Sequence, residues 1–104
     1  MLGLNHVLLA GTVTRVDFGM TVEGVSIINF ELLVKDRMHD QSIHIEAFIC
    51  TLAGSGAAKL RTVAVEGEKL MVSGALRTRT TSNRFSDRAQ IARVFIREYS
   101  RIEE

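Results

Sequence analysis

Ser42-Ile-His-Ile-Glu-Ala-Phe-Ile-Cys50, followed by Thr51-Leu-Ala-Gly-Ser-Gly-Ala-Ala-Lys-Leu-Arg-Thr-Val63, is the stretch on which the fold turns. Its first half alternates: Ile43, Ile45, Ala47 and Ile49 fall on one face and His44, Glu46, Phe48 and Cys50 on the other, the period of a strand. A strand apolar on both faces is expected to bury one and to offer the other to a partner or ligand. After Cys50 the alternation stops. Leu52, Ala53, Ala57, Ala58 and Leu60 suit a short helix between residues 51 and 63, although Gly54 and Gly56 weaken its start by about 1 kcal/mol each relative to alanine.

Outward from this strand–helix junction, the pattern is β on both sides. Asn5 to Arg15 is β-branched and apolar, with Val7, Leu9 and Val13 on one face. Gly11 inside it predicts a bulge or a sharp bend. Phe18 to Gly24 reads as a turn, and Val25 to Lys35 as a second strand with Ile28, Phe30, Leu32 and Val34 in register. Asp36 to Gln41 is a charged connection. Beyond Gly67, Lys69 to Arg77 is a fourth strand bent at Gly74. Residues 89–99 form a fifth, with Ala92, Val94 and Ile96 opposite Ile91, Arg93, Phe95 and Arg97; Phe30 and Phe95 are expected in the core. The chain is therefore all-β, and five strands with one helix between the third and fourth follow the order of an OB-fold, a small Greek-key barrel.

With 104 residues, 46% of them apolar, the chain suits one OB-fold domain over 1–104 and not disorder. No window is apolar enough to span a bilayer, so no membrane role is expected. The N-terminus has no secretory pattern, and the single cysteine, Cys50, suits a reducing compartment. His6, His39 and His44 form no ligand cluster, so neither metal nor cofactor is expected; His44 is assigned a hydrogen bond within a subunit contact. Gly54 to Lys59 lacks the spacing of a phosphate loop. No base and orienting group assemble around Cys50 or a serine, and the acids Asp17, Glu23, Asp36 and Asp40 are assigned to turns, so the chain is not read as an enzyme.

The formal net charge of +1 hides a polarised molecule. From Ala75 to Arg97, six arginines face the single acid Asp87, a balance of +5, whereas residues 1–74 carry six basic and eight acidic side chains, a balance of −2. Arg77, Arg79, Arg84 and Arg88 surround Phe85 in a strand that runs into a polar loop. A cationic ribbon with a stacking ring suits a flexible polyanion with unpaired bases. Phe18, beside the first turn, either meets a base or caps the core. Arg15 and Lys35, at the ends of the first two strands, are second-tier phosphate contacts.

Several strings resemble the bacterial single-stranded DNA-binding protein family. Asn5-x-Val7-x-Leu9-x-Gly11-x-Val13 is similar to its opening strand and Asn29-Phe30-x-Leu32 to its second. Leu52-Ala53 and Leu60-Arg61 sit where its helix begins and ends, and Val72-x-Gly74-x-Leu76-Arg77-Thr78-Arg79 is similar to its fourth strand. The similarity covers roughly residues 4 to 99. The chain departs from the family in having no tryptophan, with Ile43 and Thr81 at two positions where the family carries one and Ile49 where it often has phenylalanine. Ending at Ile102-Glu-Glu104, it also resembles primosomal replication protein N, a PriB-type relative, and is either a trimmed core or a short paralogue.

The resemblance implies sequence-tolerant single-stranded DNA binding in DNA replication, repair and recombination, and the residues expected to carry it, from their charge, rings and strand positions, are Arg15, Phe18, Lys35, Arg77, Arg79, Arg84, Phe85 and Arg88. A lone barrel with this much apolar strand surface would expose a sticky patch, so a homotetramer is expected, with a dimer as second choice, in a cytoplasmic nucleoid or an organelle. One alternative is an adaptor in the primosome, bound to replication-restart proteins. The other is an OB-fold module that binds proteins and no nucleic acid.

Overall fold

Each alternating segment forms a strand, and most strands run past their apolar stretch because neighbouring backbones offer continuous pairing. The computed structural model describes residues 2–82 and 88–103, with the backbone alone at 80–82 and 88–90. The elements are β1 (Val7–Met20), β2 (Ser26–Arg37), β3 (Ile43–Ala53), α1 (Gly56–Arg61), β4 (Lys69–Ser82) and β5 (Arg88–Arg101). The strands close in the order β1-β2-β3-β5-β4, with β4 returning to β1. Every pairing is antiparallel except β3 with β5, which is parallel and has the register pairs Cys50 with Val94 and Thr51 with Phe95. The expected OB-fold barrel is the fold of the molecule.

β1 makes closure possible by changing partners. Val7 to Thr12 pair with β4, and Thr12 to Met20 pair with β2. At the handover the strands crowd: a side-chain carbon on Gly11 would overlap the Leu33 carbonyl. The register shift expected near Gly11 lies further on, between Thr14 and Asp17, where one extra β1 residue is accommodated. Arg15 takes a positive φ of 50° there. This bulge re-aims the strand so that it keeps pairing through Phe18 and Gly19, and the turn expected from Phe18 contracts to residues after Met20.

The helix also contracts. Thr51 to Ala53 continue β3, because Ile27, Ile28 and Asn29 of β2 pair with them. Gly54, at φ 100°, then breaks the strand. α1 contributes the buried Ala57 and Leu60 to a core of Val13, Ile28, Phe30, Leu32, Cys50, Leu70, Val72, Val94 and Ile96. Asp17 and Asp36, assigned to turns, lie in β1 and β2. Asp40 does occupy the β2–β3 turn, where hydrogen bonds from the Ser42 hydroxyl and N–H hold its carboxyl below the ordinary range.

Gly11→Ala is expected to cost about 2–3 kcal/mol in urea denaturation, because the obstructing atom is backbone and only a shift of β1 from β2 relieves it. Burial pushes the Cys50 thiol from 9.0 up to about 12. A pKa raised on folding stabilises fully below the unfolded value and is lost as pH climbs toward the folded one. Stability should therefore fall between about pH 9 and 12 by about 1.4 kcal/mol per pH unit from this group. Cys50→Val removes that contribution, so the pH 9 to 11 loss in urea melts should be smaller by about 2–3 kcal/mol than in the parent chain.

Candidate functional site

The register of β4 against β5 decides which side chains share a face. Ala75 lies opposite Phe95, Arg77 opposite Arg93, and Arg79 opposite Ile91. Directly opposed residues of an antiparallel pair project to the same side. Val94 and Ile96, on the other parity, are buried in the barrel, and of the opposed set only Ala75 is buried too, so Arg77, Arg79, Ile91, Arg93 and Phe95 point outward. A cleft is lined by Arg77, Thr78, Arg79, Ile91, Arg93 and Phe95. Phe95, expected in the core, is 42% exposed on the cationic face. The correction follows from alternation: Val94 and Ile96 on either side of Phe95 are buried in the barrel, so Phe95 is turned to the outer face even where β5 pairs with β3.

The charges of the cleft stand without counterions among the described residues. Arg15 pairs with Glu31 and Arg101 with Glu68, each at 3.4 Å, and no described carboxylate reaches Arg77, Arg79 or Arg93. The Arg77 guanidinium lies over the Phe95 ring, 5.2 Å from its centroid. Across the parallel register from Phe95, the Thr51 hydroxyl is buried without a hydrogen-bond partner, as is the Asn29 side-chain oxygen beside it.

The structure brings Arg77 and Arg79 together, as expected, and adds Arg93, Ile91 and Phe95. The sequence hid these three because strand alternation does not tell which face of an edge-like segment is covered. Arg84 and Phe85 lie outside the described residues, as does the side chain of Arg88. The other expected contacts do not line the cleft. Arg15 sits in the β1 bulge, not at a strand end, and its guanidinium is 3.4 Å from Glu31. Phe18 is half-buried, packs on the core, and carries the Arg61 guanidinium 4.4 Å over its ring. Lys35 lies on β2 opposite Ile45, in a separate groove with Gly11, Leu33 and Ile102.

The β2–β3 hairpin is solvated on both sides at its outer end. Ile43 and Ile45 are 59% and 60% exposed, and His44 and Glu46 are exposed too. His44 has Asp36 opposite in register. Among the described residues no group of three His, Cys, Asp or Glu could hold a metal ion, and no helix is long and apolar enough to cross a membrane.

Comparison with known proteins agrees with the fold. A model of the Single-strand binding protein family matches residues 4–102. Among curated proteins no sequence matches at a significant level. Of the solved structures, a Plasmodium falciparum SSB in complex with ssDNA superposes with a TM-score of 0.84 at 18% identity, over 99% of this chain and 98% of that one. The two share the fold.

Phe18 and Phe95 should differ in what their truncation costs. Phe18→Ala removes core packing and should cost about 2–4 kcal/mol, which lowers Tm by more than about 8 °C in a chain of this size. Phe95→Leu, on a solvated face, should cost about 1 kcal/mol or less. Thermal melts of the two variants check this.

Proposed function

The chain belongs to the single-strand binding protein family, and on that premise we propose that it binds single-stranded DNA, with little sequence preference, along the outer face of the β4–β5 hairpin. One observation carries this reading: Arg77 directly faces Arg93, Arg79 lies two register pairs further along on the same face, and no described carboxylate offsets them. Like charges opposite each other in a sheet destabilise it by roughly 0.2–1 kcal/mol. A phosphate chain lying between them turns that repulsion into attraction, and counterions released from the strand supply the affinity. Sequence tolerance fits this arrangement, since phosphate contacts position a strand without identifying its bases.

Arg84, Phe85 and Arg88 extend the same ribbon in sequence and are assigned to the same strand path. Arg15 and Lys35 remain second-tier contacts, and Phe18, packed on the core and capped by Arg61, contributes least. The reading places the protein in DNA replication, recombination and repair, in a nucleoid or an organelle. Leu8, 61% exposed, and Met71, 39% exposed, lie on the outer side where β1 pairs with β4. Such an apolar face supports a homo-oligomer, a tetramer first and a dimer second. With no tryptophan in the chain, a second reading is supported too: a primosomal adaptor that grips DNA weakly and replication-restart proteins tightly.

Joint replacement of Arg77, Arg79 and Arg93 by alanine tests the main reading. Titration with oligo-dT at several salt concentrations should show a slope of log K against log salt about 2 units shallower than in the parent chain, roughly 0.7 for each phosphate that is no longer neutralised. Tm should hold or rise as the repulsion disappears. Unchanged oligonucleotide binding with an intact melt would favour a protein-binding module instead.

A further inference from the structure

The two outward features of the cleft that look alternative, a ring and a guanidinium, are in contact. Arg77 is the diagonal cross-strand neighbour of Phe95, since Arg77 opposes Arg93 and Phe95 opposes Ala75. Diagonal neighbours are close enough for long side chains to meet. The guanidinium lies over the ring at 5.2 Å from the centroid. Arg93, directly opposite and of like charge, disfavours any Arg77 conformation that leans toward it. The guanidinium is therefore held from behind by the ring and from the side by repulsion.

A guanidinium held in this way is a flat platform. It is planar, its faces are weakly hydrated, and unstacked bases stack on such planes as they do on aromatic rings. The remaining described rings are poorly placed for the task. Phe30 is buried, Phe48 and Tyr99 are half-buried, and Phe18 packs on the core away from the cleft. Resting on the proposal of single-strand binding, we propose that a nucleobase stacks on the outer face of the Arg77 guanidinium, with Phe95 as the positioning residue that holds this plane from beneath. Arg77 is then more than a phosphate contact, and the stack ring–guanidinium–base supplies at this position what a tryptophan would.

Lysine at position 77 separates the two roles, because it keeps the charge and loses the plane. Anisotropy titrations compare the parent chain, Arg77→Lys, Phe95→Leu and the double variant on oligo-dT and on an abasic oligonucleotide of equal length, at two salt concentrations. The expected result is about tenfold weaker oligo-dT binding for Arg77→Lys with an unchanged salt slope. Phe95→Leu should weaken binding by a similar factor, the double variant should bind only slightly more weakly than either single one, and all four proteins should bind the abasic strand alike. Parent-like binding of oligo-dT by Arg77→Lys would overturn the inference and leave Arg77 a phosphate contact. Weakening in Phe95→Leu alone would overturn it in favour of a base on the ring itself. If the parent chain binds neither strand, the underlying reading fails as well. Matching thermal melts exclude misfolding as the cause.

Discussion

Closure of the sheet rests on one strand pairing with two others. β1 bonds to β4 along its first half and to β2 along its second, and without that exchange the five strands would form an open sheet with two bare edges. Two local devices make the exchange possible. At Gly11 the backbone of β2 approaches so closely that a side chain would meet the Leu33 carbonyl. Beyond it, the bulge at residues 15 and 16 turns the strand so that Phe18 reaches the core while Asp17 stays exposed.

The opposite seam is short, and the proposed binding surface lies on the hairpin that runs past it. Among the described residues β3 and β5 run parallel over two register pairs, and the outer ends of β4 and β5 continue as a hairpin without β3. From Arg77 with Arg93 outward, the paired strands are exposed for most of their described length. A hairpin in this situation gains little from burial, so its side chains are free to serve binding. The closely spaced Arg77, Arg79 and Arg93 are compatible with folding because their self-repulsion falls on an outward, solvated cleft.

Charge and packing are coupled at one point on this surface. Phe95 looks like a core residue by composition, yet its ring supports Arg77 rather than the barrel. The same motif recurs at Phe18 with Arg61, where the ring packs inward and the guanidinium caps it. Identical chemistry thus has two outcomes, set by whether the ring backs onto the core or onto solvent.

Much of this was legible from residue order. Alternation in Ser42 to Cys50, its disappearance before the helix, and the glycines at 11 and 74 specify a five-strand barrel, because side-chain period follows backbone geometry directly. The sign bias after Ala75 marked the cationic ribbon for the same local reason. Strand ends were misjudged at Phe18 and at Thr51 because pairing with a distant strand, not local propensity, extended them. Whether Phe95 faces core or water, whether Arg15 meets Glu31, and which arginines oppose one another depend on register between segments far apart in the chain. Those choices arise only when the barrel closes, since a period of two tells which residues share a side and says nothing about what lies against it.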